Sequence, residues 1–258
     1  MTKHLRGTEV VLSFIVGHLD PEGIAQKNLV DACIAARVKR FAPSEWSIAS
    51  NSGSAMYRSK DIVSAYLRQV NKDKKRLEFC LFQPGLFLDY LIFPHSTTKH
   101  AQLFCTPWDL QNRRAIIPEG PDFPLVLTTV GDLVKVVVEA VTFQGTWPER
   151  GGICGNKFMN SEFLKLAESI RGEIRPIHVE VASNTDIDNL SFKTSWIPQA
   201  NHASLSPEER ASISKQFLGM ILTAVRNGAF GVTEEWNQLL PNVEMTKAET
   251  FLRMIWKD

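Results

Sequence analysis

The sequence predicts an α/β protein built on a doubly wound parallel sheet, followed by a mostly helical C-terminal region. Three observations support this fold class. An apolar run over residues 9–15 has the composition of a buried strand. Amphipathic helical patterns and further strand-like runs then alternate up to residue 83, as in a parallel sheet covered by helices on both faces. Helical patterns predominate beyond residue 150.

The first strand-helix-strand unit begins with residues 9–15 (EVVLSFI). These residues are almost uniformly apolar, so we expect a strand that is buried on both faces. The helix predicted over residues 23–38 places Ile24 and Cys33 on one buried face. A second strand follows over residues 38–42, and a unit of this length predicts two parallel strands joined by a right-handed crossover.

The same pattern is then repeated. Residues 55–71 form an amphipathic helical pattern, and residues 78–83 (EFCLFQ) predict the next strand. Pro84 and Gly85 end that strand at its carboxyl end, where open α/β sheets bind their ligands. The aromatic segment 86–90 follows directly.

The rest of the chain predicts shorter strands and longer helices. Strands are predicted over residues 114–118, 125–129, 153–154 and 176–181. Helices are predicted over residues 133–142, 160–170, 207–227 and 247–256. We expect Gly131 and Asp132 to cap the first of these helices. The polar loop 145–152 divides the chain into a first region, residues 1–150, and a second region, residues 151–258.

The composition favours a cytoplasmic protein with a small-molecule partner. The 29 Lys and Arg residues against 28 Asp and Glu residues leave a formal charge of +1, which gives no global attraction for nucleic acid or an anionic membrane. The first apolar run ends by Gly17 and is too short for a signal or membrane segment. The 4 cysteines form no C-x-x-C pair, which favours reduced thiols over disulfides or a metal site.

Metal and serine-hydrolase chemistry are not expected. The sequence contains neither H-E-x-x-H nor G-x-S-x-G, and its 6 histidines lack metal-ligand spacing. His95 and His100 flank a polar loop after the aromatic segment. They could face a pocket, although solvated loop histidines are the commoner arrangement.

Three segments are expected to converge on one cleft: residues 40–46 (RFAPSEW), 57–60 (YRSK) and 82–87 (FQPGLF). The first and last lie at the carboxyl ends of adjacent strands, and Lys60 opens the helix between them. The positive end of the helix dipole and the aromatic surroundings would help Lys60 lose its proton, which suits proton transfer. The alternative is a solvated lysine on an amphipathic helix, and position alone favours that alternative.

RFAPSEW, LFQPGLF and the lysine-bearing helix between them resemble the NmrA-like, isoflavone reductase-like family of NAD(P)-dependent oxidoreductases, atypical members of the short-chain dehydrogenase superfamily. Residues 9–32 are similar to the family's fourth strand and glutamine-bearing helix, and residues 151–172 and 234–241 to its C-terminal region in the fungal type. The resemblance implies a partial Rossmann-type sheet with a substrate-capping C-terminal region. It also implies NADP(H)-dependent reduction of a small aromatic or enone-like substrate in secondary metabolism.

The resemblance further implies roles for individual residues. Lys60 would contact the cofactor and act as the catalytic acid or base. Ser13 and Phe14 would border the adenosine side of the cofactor, Gln26 would help to hold it, and Pro43, Ser44 and Glu45 would border its nicotinamide. Phe87 and Tyr90 would line the substrate pocket. Structural interpretations stay open, since Pro43 could only shape a turn, Ser44 could cap a bend, and Phe87 could belong to the core.

Two departures from the family pattern bear on these roles. Tyr57 precedes Lys60 by three residues rather than the four of the usual dehydrogenase pair, so Tyr57 is expected to pack rather than to donate a proton. No G-x-G-x-x-G segment is present, and the glycines within 151–155 have the wrong spacing and predict a turn. Since that segment anchors the pyrophosphate, weak NADPH binding or none is expected.

The strand over residues 9–15 is also expected to be a sheet edge, because the family's first three strands lie on that side of its fourth. A long apolar edge would expose unpaired backbone groups. Three explanations are open: an incomplete sequence, a shortened protein that no longer holds a dinucleotide, or a sheet completed by a homo-oligomer or another partner chain.

Three hypotheses for function follow. The first is an NAD(P)H-dependent oxidoreductase in which Lys60 relays a proton. The second is a non-redox isomerase or cyclase that uses Lys60 and the aromatic pocket. The third is a non-catalytic regulatory protein that senses a dinucleotide. The retained cleft favours the first.

Overall fold

The computed structural model describes residues 1–99, 103–172, 175–200 and 206–256. The strands are β1 (Val10–Leu12), β2 (Arg40–Ala42), β3 (Glu78–Phe79), β4 (Leu81–Gln83), β5 (Leu86–Phe87), β6 (Trp108–Asp109), β7 (Arg114–Pro118), β8 (Pro124–Thr128), β9 (Arg150–Gly152), β10 (Asn156–Met159) and β11 (His178–Ala182). The α-helices are α1 (Thr2–Leu5), α2 (Ile24–Ala36), α3 (Arg58–Val70), α4 (Val130–Thr142), α5 (Asn160–Arg171), α6 (Asn184–Asp188), α7 (Pro207–Arg226), α8 (Glu235–Leu239) and α9 (Ala248–Ile255).

The first sheet is parallel, as the sequence predicts. β1 pairs with β2 and β2 pairs with β3, so that Val11 lies opposite Phe41 and Phe41 opposite Phe79. The predicted strand 78–83 is interrupted at Cys80. The Cys80 N–H donates a hydrogen bond to the Phe41 carbonyl, whereas the next residue is hydrogen-bonded to a different part of the chain. β4 then pairs in parallel with β9. The strand order across the sheet is therefore β1, β2, then β3 and its continuation β4, and last β9.

Helices cover both faces of this sheet. Alternate strand residues point to opposite faces, so Phe41 packs with α2 and α3, whereas its neighbour Ala42 packs with α4. Val30, Val63 and Leu67 fill the first layer. The second layer contains Leu133, Val136, Ala140, Phe82, Trp147 and Trp236. This arrangement confirms the predicted doubly wound α/β class.

Two predictions about the first unit are wrong. The first strand is shorter than residues 9–15, and its residues are only partly buried, because β2 is its one partner strand within the described ranges. Phe14, beyond its end, is 68% exposed. Ile24 is 59% exposed rather than buried, since the buried face of α2 carries Gln26, Val30 and Cys33.

Smaller sheets complete the fold. β8 pairs in parallel with β5 and antiparallel with β10, and β7 lies between β11 and β6. Together with α5, α7 and α9 they enclose a large core around Trp108 and Phe163. α7 begins after Ser206, which forms a capping box with Glu209. This core holds α7 against the chain that follows β4.

Two other local predictions need correction. α4 is capped by Thr129, whose hydroxyl accepts a hydrogen bond from the N–H of Asp132, and not by Gly131 and Asp132. Gly151 and Gly152 lie in β9 rather than in a turn, and the predicted strand 153–154 falls between β9 and β10. A Cβ on Gly152 would lie 2.1 Å from the carbonyl oxygen of Thr233, so close packing requires this glycine.

The described residues contain no helix long and apolar enough to cross a membrane. Nor do they contain a group of three or more His, Cys, Asp or Glu side chains placed to hold a metal ion. The four cysteines are free thiols, and burial raises the pKa of Cys33 to about 11.

Candidate active site

Lys60 is the third residue of α3 and lies beside the loop that follows β2. Its ammonium group donates a hydrogen bond to the main-chain carbonyl of Glu45 and lies 4.6 Å from the centre of the Tyr57 ring. Burial lowers the pKa of Lys60, while the charges of Glu45 and Asp61 raise it. The helix start and the loop are thus brought together.

The carboxyl group of Glu45 is almost completely enclosed. The residue is 2% exposed, and its Oε1 has no hydrogen-bond partner. Burial raises the pKa of Glu45 to about 6, with the charge of Lys60 and the amide of Gln83 acting in the opposite direction. The Gln83 amide itself donates to the Ser50 hydroxyl at 2.8 Å. A carboxyl group with this pKa is present in both protonation states near neutral pH.

Gln26 joins the loops after β1 and β2. Its side-chain oxygen accepts hydrogen bonds from the Ser13 hydroxyl at 3.2 Å and the Ser44 N–H at 2.8 Å. The Trp46 indole N–H donates to the Ser13 carbonyl at 2.8 Å. Pro43, which precedes Ser44 in the chain, is buried. Four of the residues singled out in the sequence, Ser13, Gln26, Pro43 and Ser44, therefore form one hydrogen-bonded or packed unit.

A stack of aromatic rings runs from the protein surface into the core. Phe14 lies parallel to Trp46 with ring centres 4.9 Å apart, and Trp46 stacks on Phe82 at 5.4 Å. Phe82 stacks in turn on Trp236 at 5.4 Å. The exposed Phe14 ring therefore rests on a rigid, buried support. Trp46 has a φ of 47°, a left-handed conformation that bulky residues rarely adopt.

An aromatic cavity of about 90 Å³ is linked to Lys60 through Tyr57, which contacts the ammonium group and lines the cavity, whereas Lys60 itself is not a lining residue. Its lining residues are Trp46, Ser47, Tyr57, Gly85, Leu86, Phe87, Tyr90, Phe104, Phe217, Met220, Ile221 and Phe230. Phe87 and Tyr90, which the sequence places at the substrate, are both among them. Tyr57 packs, as expected, but it also lines the cavity, and its hydroxyl lies 2.7 Å from the Ser47 hydroxyl. Burial raises the pKa of both Tyr57 and Tyr90, so both phenols are neutral hydrogen-bonding groups.

Sequence reasoning missed several lining residues. Trp46 ends a segment that was singled out and Ser47 directly follows it, but nothing in their spacing shows that they face the cavity. Phe217, Met220 and Ile221 follow a helical i, i+3, i+4 pattern that is typical of any buried helix face. Their distance along the chain from Lys60 gives no signal of proximity.

The structure describes only one of the two loop histidines that could face a pocket. His95 is exposed and its ring lies edge-on to Trp256, with ring centres 5.1 Å apart. It is absent from the lining of the aromatic cavity. His100 lies outside the described residues.

Comparison with known proteins gives relatives at low identity. No protein-family model matches the chain. The chain is 30% identical over 154 residues to the oxidoreductase BOA1 of Botryotinia fuckeliana (strain B05.10), an alignment that covers 59% of the chain and only 50% of that protein. It is 22% identical over 276 residues to the oxidoreductase swnN of Arthroderma benhamiae (strain ATCC MYA-4681 / CBS 112371), covering 96% of the chain and 84% of that protein.

Solved structures resemble the whole chain. AtPrR2, determined with NADP+ and (+)-pinoresinol, superposes with a TM-score of 0.65 at 17% identity, over 98% of this chain and 77% of that one. At this identity the likeness concerns the fold. The chain therefore has the Rossmann-like α/β fold of NAD(P)-binding reductases.

Proposed function

We propose that the protein is an NADPH-dependent reductase of the isoflavone reductase-like type, acting on a small aromatic or enone-like molecule. The observation that carries this proposal is the position of Lys60. Its ammonium group donates to the Glu45 carbonyl in the loop after β2 and lies over the ring of Tyr57, which in turn lines the aromatic cavity. The two oxidoreductase relatives and the structural likeness to AtPrR2 support it.

The residues present suit the adenosine and nicotinamide sides of the cofactor. Phe14 offers an exposed ring face on a rigid stack, and planar ligand rings bind such faces well. Ser44 and Lys60, which are only partly buried, would provide polar groups on the nicotinamide side. Gln26 and Ser13 would act indirectly, by holding the loops in place. When bound, NADPH would supply a hydride.

The cavity would orient the substrate and exclude water. Most of its lining is aromatic or aliphatic, which favours a planar apolar substrate. The hydroxyl groups of Tyr57, Ser47 and Tyr90 are the polar groups available to a carbonyl or phenol. α7 closes one side of the cavity with Phe217 and Met220.

Lys60 would hold the proton that the reduced substrate requires. Because burial lowers its pKa, Lys60 gives up a proton more readily than a surface lysine does. A group whose pKa lies closer to neutrality is a better general acid, since it is protonated and yet able to transfer its proton. Tyr57, under the ammonium group, limits the positions that Lys60 can take.

The test is NADPH oxidation with a panel of aromatic enones and quinones, using the cofactor at saturating concentration and following the products by mass spectrometry. Lys60→Met is expected to lower kcat by about 100- to 10,000-fold, the usual contribution of general acid catalysis. Lys72→Ala, at an exposed lysine just beyond α3, is the matched control and is expected to be unaffected.

Three results would contradict the proposal. Absence of turnover with every compound despite measured NADPH binding would favour a dinucleotide-sensing protein. Conversion of a compound without nucleotide would favour an isomerase or cyclase. Full activity of Lys60→Met would remove Lys60 from the chemistry.

A further inference from the structure

Glu45 is buried beside Lys60 without being used as an ordinary structural carboxylate. Its Oε1 has no partner, and it is 2% exposed, so its charge is poorly solvated. A buried carboxyl group that only stabilised the loop would be expected to have both oxygens hydrogen-bonded. The main-chain carbonyl of the same residue accepts the hydrogen bond from Lys60. Glu45 thus holds the ammonium group of Lys60 through its main-chain carbonyl, and its carboxylate, which is too far away for a direct ion pair, acts on Lys60 through its charge.

We propose that Glu45 is a positioning residue whose carboxylate acts as the counter-ion that keeps Lys60 protonated in the cleft. An ammonium group taken out of water is stabilised by a nearby negative charge, and the attraction is stronger where the surroundings are poorly polarisable. The main-chain carbonyl fixes the ammonium group in place, and the carboxylate sets how firmly it holds its proton. The functional consequence, the pH range of catalysis, rests on the reductase proposal.

The other groups around Glu45 interact with its carboxyl group more weakly than Lys60 does. The titratable, charged or polar groups that act on it are Tyr57, Lys60, Asp61, Arg68 and Gln83. Asp61 is partly exposed and already accepts a hydrogen bond from the Asn51 N–H at 2.7 Å. Arg68 is exposed and pairs with Glu149. Lys60 is therefore the cation that Glu45 is placed to serve.

The proposal predicts how Glu45→Gln changes Lys60. The substitution keeps the shape of the side chain and removes its charge, so the pKa of Lys60 should fall by about one unit or more. If Lys60 is the proton donor, the basic limb of the pH profile of kcat moves to lower pH by the same amount. If Lys60 is instead a base, activity at neutral pH rises. The shift in the pKa of Lys60 is the same in both cases.

The experiment measures Lys60 directly, without cofactor or substrate. The rate of Lys60 acetylation by acetic anhydride is followed against pH by peptide mass spectrometry in the wild type and Glu45→Gln. Asp61→Asn, which removes a charge next to Lys60 in sequence at a more hydrated position, is the matched control. Glu45→Asp restores the charge. We expect a shift to lower pH in Glu45→Gln, a clearly smaller one in Asp61→Asn, and recovery in Glu45→Asp.

An unchanged acetylation profile in Glu45→Gln would overturn the proposal, as would an equal shift in Asp61→Asn. Because the labelling needs no turnover, these results are independent of whether the reductase proposal holds. If Glu45→Gln does not fold, the reciprocal measurement serves: the Glu45 carboxyl is titrated by NMR in the wild type and in Lys60→Met. Glu45 should titrate at higher pH in Lys60→Met, and an unchanged midpoint would overturn the proposal.

Discussion

The first turns of α3 and α4 each lie beside a buried carboxyl group, and the two carboxyl groups are satisfied very differently. Asp132, in the first turn of α4, is fully buried, and both of its oxygens are hydrogen-bonded. They accept bonds from Lys135 at 2.8 Å and from the hydroxyl and N–H of Thr246 at 3.0 and 2.8 Å. Glu45, beside the first turn of α3, has an oxygen without a partner.

This difference separates a structural carboxylate from one with another role. Asp132 ties the segment before α9 to the start of α4, so its hydrogen bonds hold the C-terminal part of the chain in place. Glu45 keeps one oxygen without a partner and influences Lys60 through its charge. Burial alone does not distinguish the two groups. The number of satisfied oxygens does.

The largest change in stability is expected for Asp132→Ala. It leaves the N–H and hydroxyl of Thr246 without their partner in a partly buried site, so the free energy of unfolding should fall by roughly 2 kcal/mol. Urea denaturation measures this loss. Glu139→Ala, at an exposed position of the same helix, is the control and should change little. Equal losses in the two variants would mean that Asp132 has no structural role.

A change in the free energy of unfolding of at most this size is expected from the ionisation of Glu45. Its pKa is raised by burial from 4.5 to about 6 in the folded protein, so the folded state binds the proton more tightly than the unfolded state. Its contribution to stability is therefore lost as pH rises through this interval, by about 2 kcal/mol, and nothing is lost at lower pH. Denaturation of the wild type and Glu45→Gln at several pH values checks this. Parallel curves for the two proteins would contradict the raised pKa.

The smallest effect on stability is expected for Phe14→Ala. Phe14 is exposed and its ring contacts Trp46 on one face only, so the free energy of unfolding should change by no more than about 0.5 kcal/mol. If its free face binds the adenosine side of the cofactor, the KM for NADPH should nevertheless rise several-fold. Leu19→Ala, at another exposed apolar residue nearby, should leave that KM unchanged. An unchanged KM in Phe14→Ala would remove Phe14 from the cofactor site.

Local patterns in the sequence were sufficient for most of the fold. The alternation of apolar runs and helical periodicity gave the parallel strands, α3 with Lys60 in its first turn, and the long helix α7. This alternation could not predict that the strand changes its neighbouring strand at Cys80, because the change depends on where β2 ends and β9 begins in space. The apolar character of Ile24 and Phe14 suggested burial, but their exposure is decided by the edge position of β1.

The candidate site was predictable only in part. The segments around Glu45, Lys60 and Phe87 could be singled out because parallel strands bring their carboxyl ends together. The contribution of Phe217 from α7 could not, since its helical spacing is the same as that of a core residue. The glycines of β9 were misinterpreted as a turn. They are required by the close packing of Trp236 and Thr233, which the spacing of the glycines does not reveal.

The most direct test compares Glu45→Gln with Asp132→Ala in both stability and turnover per folded molecule. The structural and functional roles assigned to the two carboxyl groups predict opposite outcomes: Glu45→Gln loses no stability at neutral pH and shifts its pH profile, whereas Asp132→Ala loses stability and keeps its profile. If Glu45→Gln loses stability as Asp132→Ala does and its pH profile stays in place, the distinction between the two buried carboxyl groups is contradicted.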